Sequence, residues 1–186
     1  MAARPYAELL CRSHWSFMEG ASRPAELISR SADLGIHSLG VVDRNGVYGI
    51  PKAYRALRDH PGTRLICGAE VTLRDHVPIA FLARNRAGWG LLCRILTAAH
   101  ADKPKGEASL SFAELVTLLE RPESQGLIAL PRDPLLPQKN HLPVHYQTLS
   151  EIFGPERLAL PIARHLDGQD AKRTAQARAL SAQWGI

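Results

Sequence analysis

Residues 6–43 read YAELLCRSHWSFMEGASRPAELISRSADLGIHSLGVVD. Residues 6–11 have the composition of a short strand, followed by a polar turn through Ser13 and Ser16. A helix is predicted near 23–34: Ser22 suits its N-cap, Pro24 its first turn and Gly35 its C-terminal cap. Leu27, Ile28, Ala32 and Leu34 give that helix an apolar face. His37 to Val42 is then a compact apolar run that ends on Asp43. Strand, helix and strand within so few residues make a β-α-β unit, which implies parallel pairing of the two strands.

The same alternation continues outward. A helix is expected near 50–60 with Pro51 in its first turn, then a strand from Arg64 to Cys67 leading through Gly68 to Glu70. Val77 to Ala83 reads as a strand and Gly88 to Ala101 as a strongly periodic helix. Residues 102–109 are a polar loop, and Ser111 to Glu114 forms a capping box that opens a helix to about Leu119. Gly126 to Leu130 is a further strand, and 131–147, rich in Pro and His, is expected to be irregular. A short helix near 148–153, a strand at Leu158–Ala163 and a helix capped by Asp167 and running to Trp184 complete the pattern. About six strands are expected, in a mostly parallel α/β sheet.

Composition narrows the class. The 186 residues fit one domain spanning 1–186, with 45% hydrophobic content to build a core. No apolar run approaches a membrane span, and the N-terminus lacks the apolar segment of a secretory signal. Cys11, Cys67 and Cys93 are far apart and odd in number, which argues for a reducing cytoplasm and against a disulfide framework or a zinc ribbon. The net charge of +5 is compatible with nearby nucleic acid. The arginines are scattered singly, however, and are expected to be ordinary solvated surface. No Walker loop, nucleophile elbow or Rossmann fingerprint is present; Gly46-Val-Tyr-Gly49 does not fit G-x-G-x-x-G.

Four fragments carry a family resemblance: Ser13-x-x-Ser-Phe17 with Gly20-Ala21, Leu34-Gly35 with Val42-Asp43, Ile66-x-Gly-Ala-Glu70, and Arg86-Ala-Gly-Trp-Gly-Leu-Leu92. In order and spacing they resemble the PHP (polymerase and histidinol phosphatase) domain. The likeness is to the N-terminal region of bacterial C-family DNA polymerases (DNA polymerase III alpha-subunit-like), in particular the error-prone branch. The resemblance implies a distorted (β/α)7 barrel. It also implies that a further strand and the last metal-binding motif would follow Ile186, so the barrel is expected to be incomplete, with an open edge that a dimer could cover.

The resemblance further implies a metal site, and this sequence departs from it. A His-x-His pair is expected just before the serine turn; Leu10 and Arg12 stand there. A His is expected after Asp43; Arg44 stands there. A guanidinium has no lone pair for a cation. Asp43 and Glu70 are the residual metal-site positions, expected on one barrel face. For Asp43 the preferred reading is structural: it pairs with Arg44 or caps the turn before Asn45-Gly46. An ion pair from Arg12 to Asp43 or Glu70 would replace the metal charge. His14 reads as an exposed turn residue, and His141 and His145, separated by Pro143, as loop residues. Trp15 and Phe17 could stack on bases, but aromatic residues flanking a turn are more often core anchors, and that is the expectation here.

These readings imply no catalytic residue and no cofactor. The expected role is a degenerate, non-catalytic scaffold of an error-prone polymerase engaged in damage-induced DNA synthesis. Its partners would be the rest of that polymerase and its accessory subunits, with only indirect contact to DNA. The alternative is a PHP-family phosphoesterase or 3′–5′ exonuclease dependent on Zn, Mn or Mg.

Overall fold

The computed structural model describes residues 6–132, 142–162 and 166–185. Its strands are β1 (Ala7–Cys11), β2 (Ser38–Arg44), β3 (Arg64–Val71), β4 (Ile79–Ala83) and β5 (Leu127–Pro131). Its helices are α1 (Pro24–Asp33), α2 (Ile50–Ala56), α3 (Arg86–His100), α4 (Phe112–Leu119), α5 (Leu142–Phe153) and α6 (Asp170–Trp184). The five strands lie in the order β1-β2-β3-β4-β5 and curl into an incomplete PHP-like barrel.

β1, β2 and β3 are parallel, as the β-α-β pattern predicts, but β4 runs antiparallel to both β3 and β5. The cause is a short connection. Only residues 72–78 separate β3 from β4, and a parallel crossover needs a dozen or more. The expected strand at 158–163 reduces to one bridge between Leu158 and Ala129. Pro161 has no N–H to extend the pairing, and Ala163 lies outside the described residues.

Two helix readings also change. The N-cap of α1 is Arg23 instead of Ser22, with the Arg23 N–H donating to Glu26 at 2.7 Å. α5 begins at Leu142, well before the expected 148. Pro143 sits in its first turn, where the missing N–H has no intrahelical partner to lose. Asp167 lies just ahead of α6, accepting from the Gln169 N–H and pairing with Arg173, while Gln169 is the N-cap.

Alternation along the strands sorts the core into two faces. Leu39 and Val41 pack outward with Ile28, Ile50 and Ala53 of α1 and α2. Ile79, Phe81, Leu127 and Ala129 pack outward with α3, α4 and α5. Val42, Ala80, Leu82 and Leu130 form a separate inner cluster, joined by Leu10, Ile66 and Ile128. One tight contact fastens the outer layer: a Cβ on Gly88 would sit 1.9 Å from the Gly126 carbonyl oxygen, so α3 meets the start of β5 backbone to backbone.

A buried aromatic stack closes the side of α5. His76 is buried, lies 5.2 Å from Phe112 and 5.1 Å from His145, and its Nδ1 is 2.7 Å from the Val77 carbonyl. Burial pushes the His76 imidazole down to about 4; the Val77 carbonyl opposes the shift, His145 adds to it and Asp75 opposes it. An unfolded histidine titrates near 6.5. Between these two values the unfolded state therefore binds more protons, so stability is full above pH 6.5 and falls on acidification toward pH 4. The loss at pH 4.5 is about 2.5 kcal/mol. Denaturation of the wild type and His76→Phe at neutral and acid pH checks this. The variant is expected to lose less stability by about that amount; an identical pH dependence refutes it.

Candidate metal centre

The polar residues at the C-terminal ends of the parallel strands β2 and β3 meet the turn that follows β1 at one mouth of the sheet. Two separate polar groups form there, on opposite faces.

The first group is built on Asp43, which is 1% exposed. Its Oδ1 accepts from the Ser13 N–H and from the Ser16 hydroxyl, and its Oδ2 accepts from the Ser13 hydroxyl, each at 2.8 Å. Ser16 Oγ in turn accepts from the Arg44 N–H at 3.0 Å. The carboxylate thus ties the Ser13-x-x-Ser16 turn to the end of β2. Gly49 is required beside it, because a Cβ there would lie 2.6 Å from Asp43 Oδ2. Asp43 neither pairs with Arg44 nor caps the Asn45 turn. Asn45, at φ +51°, is clamped by its own side chain, which bonds to Thr72 and to the Ala108 carbonyl.

The second group lies on the inner face. Strand register pairs Asp43 with Ala69 and Arg44 with Glu70. Partners across a parallel pair share a face, so Asp43 and Glu70 point to opposite faces, contrary to the expectation that they share one. Glu70 is buried and accepts from Arg12 at 2.5 Å and from Arg132 at 2.7 Å. Arg12 also pairs with Glu19, which receives Arg44 at 2.9 Å. Arg12, Arg44 and Arg132 therefore interlock with Glu19 and Glu70, three positive charges against two. Arg12 reaches Glu70 as one of the two expected ion pairs; the other, to Asp43, does not form. Leu10, two residues before Arg12 on the same face, joins the inner apolar cluster.

Glu19 and Arg132 were not legible as site residues. Glu19 is one carboxylate in an exposed-looking turn, and Arg132 opens the Pro-rich stretch; only the fold brings either to Glu70. His14 stays out of the cluster, its ring 5.2 Å from Trp15. His145 stacks on Phe112 at 3.9 Å, while His141 lies outside the described residues.

This donor set does not fit a divalent cation. Both inner carboxylates are held by guanidiniums, Asp43 is committed to the serine turn, and among the described residues no imidazole joins them. Among the described residues, no group of three or more His, Cys, Asp or Glu is placed to hold a metal ion. Transition-metal sites of mixed nitrogen and oxygen donors need such a group.

Known proteins extend the description. An error-prone DNA polymerase of Anaeromyxobacter sp. (strain K) is 34% identical over 194 residues, covering 97% of this chain and 16% of that protein. Error-prone DNA polymerase 1 of Agrobacterium fabrum is 42% identical over 116 residues, covering 62% of this chain and 10% of that protein. The chain thus spans less than a fifth of the length of these curated relatives. Among solved structures, a proposed metal-dependent phosphoesterase from Bifidobacterium adolescentis shares the fold with a TM-score of 0.61 at 14% identity, over 98% of this chain and 86% of that one. The PHP domain model matches residues 8–165, which hold the serine turn, Asp43, Glu70 and every strand but the first residue of β1, and the chain belongs to the PHP domain family.

Proposed function

We propose that this chain is the PHP domain of an error-prone DNA polymerase in which ion pairs have replaced the metal centre. In this reading it acts as a non-catalytic scaffold for damage-induced DNA synthesis. The observation that carries the proposal is the double engagement of Glu70 by Arg12 and Arg132. A buried carboxylate already neutralised by two guanidiniums gains little from a cation and would have to shed both partners to bind one.

The likeness over 97% of the chain to polymerase N-terminal regions supports a place within such an enzyme. Its partners are then the remainder of the polymerase and accessory subunits. β1 has a strand neighbour on one side only among the described residues, which leaves an edge where such a partner, or a second copy, can seat. A reducing, cytoplasmic setting belongs to the same proposal, supported by the free thiols of Cys11, Cys67 and Cys93. No helix among the described residues is long and apolar enough to cross a membrane.

The test is metal content combined with turnover. The chain is dialysed against zinc, manganese or magnesium, washed, and analysed by mass spectrometry, then assayed on a phosphodiester. The expected result is metal well below one ion per chain and no hydrolysis above buffer. Stoichiometric metal, with turnover lost in Glu70→Gln, would reject the scaffold reading in favour of a PHP phosphoesterase or 3′–5′ exonuclease.

A further inference from the structure

We propose that the surface formed by Trp15, Phe17 and Tyr48, with Lys52 and Arg44, binds an unpaired polynucleotide strand. The inference does not depend on the absence of a metal, so it stands or falls apart from the function proposed above.

Trp15, Phe17 and Tyr48 are 42%, 75% and 57% exposed, and Met18 beside them is 90% exposed. The expectation that Trp15 and Phe17 anchor the core is therefore wrong. The turn explains it: the chain reverses between Ser13 and Ser16, both take the buried positions to reach Asp43, and the rings at 15 and 17 are left outside. Scattered single apolar residues are normal on a surface, but a contiguous set is not.

Two of the rings, Trp15 and Tyr48, adjoin and are held in place. Trp15 and Tyr48 lie 5.8 Å apart, although they come from different turns. The serine turn beneath Trp15 is fixed by the Asp43 bonds and by Ser16 and Gly20 backbone bonds at 2.9 Å. Met18 holds a left-handed φ of +64°, a conformation that costs a non-glycine residue energy and lifts the Phe17-Met18 tip into solvent. The Tyr48 ring folds over Gly46, where a Cβ would meet it at 2.4 Å. Rings fixed at small separation lose little conformational freedom when a ligand stacks on them.

Charge selects the partner. Lys52 Nζ lies 5.3 Å from the Trp15 ring centroid, and Arg44, at the end of β2, keeps 45% of its side chain exposed while paired with Glu19. Glu19, the acid within the turn, is taken up by Arg12 and Arg44, and Asp43 is buried beneath it. Protein interfaces favour rings but exclude lysine from their centre. Rings interleaved with cations are the arrangement that stacks bases while tracking phosphates, and the whole chain carries a net charge of +5. Stacking needs bases free of a duplex, which commits the surface to single strands.

The test is fluorescence anisotropy of a labelled oligothymidylate of about 15 nucleotides, with the full chain as titrant. Binding is expected for the single strand and not for a duplex of equal length. Trp15→Ala and Tyr48→Ala are each expected to weaken binding about tenfold, whereas Trp15→Phe, which keeps a ring, stays within about threefold. Lys52→Ala is expected to reduce the salt slope by about 0.7. Should Trp15→Ala fail to fold by circular dichroism, Tyr48→Ala and Lys52→Ala carry the decision. No binding, equal binding to the duplex, or alanine variants of unchanged affinity would overturn the proposal and return the rings to a protein partner.

Discussion

Asp43→Ala is expected to cost roughly 4 kcal/mol of folding stability, which lowers the melting temperature by roughly 10 °C for a chain of this size. The substitution strands three donors at once: the Ser13 N–H, the Ser13 hydroxyl and the Ser16 hydroxyl. Ser13 and Ser16 are 0% and 1% exposed, so water cannot replace the lost acceptor without opening the turn. Asp43→Asn is the informative companion. Its amide oxygen can keep the two bonds at Oδ1, and the Ser13 hydroxyl can rotate to accept from the new NH2 group, so roughly 1–2 kcal/mol is expected. A carboxylate kept for a cation behaves in the opposite way: without metal, its removal relieves repulsion and leaves stability unchanged or higher. Thermal denaturation of the metal-free chain separates the two accounts, and an Asp43→Ala variant as stable as the wild type would reject the structural role.

Glu70→Ala is expected to cost roughly 3 kcal/mol and Arg12→Ala roughly 2 kcal/mol. The order follows from what each change leaves behind. Without Glu70, Arg12 keeps only Glu19, and Arg132, with 38% of its side chain exposed, turns to water. Without Arg12, Glu70 keeps Arg132 and Glu19 keeps Arg44. The double variant is expected to show a coupling energy of about 1–2 kcal/mol, readable in a denaturant cycle. Burial sets this cluster apart from the Arg74–Glu114 pair, whose side chains are 43% and 53% exposed. Salt should weaken that surface pair and leave the Glu70 coupling largely intact. Additive single and double variants would show that the inner ion pairs contribute nothing cooperative.

Several parts of this architecture were legible because they are local. The β-α-β unit of residues 6–43 follows from strand composition, Pro24 and Gly35, and the Ser111 capping box appears as read, with the Ser111 hydroxyl accepting from the Glu114 N–H. What escaped depends on distance along the chain. Parity within β2 and within β3 is readable, but the register between them is not, so the placement of Asp43 and Glu70 on opposite faces required the fold. Arg132 reaches Glu70 across 62 residues, and no spacing rule spans that gap. Two misreadings had a local cause. Pro143 breaks a helix only in its interior and here lies at a helix start, and the rings at 15 and 17 face outward because the buried carboxylate claims Ser13 and Ser16. Nearest-neighbour residue types guide the backbone well; they do not say which side chain wins a contested position.

The interlocked arginines and glutamates have a consequence for the living cell. Chelation, or starvation for zinc or manganese, deprives an ion-dependent fold of one of its structural parts. Here every component of the brace is encoded in the polypeptide and arrives with translation itself. On the scaffold role proposed above, such a domain would reach working shape under the stresses in which transition elements are scarce, with an assembly that owes nothing to import or storage.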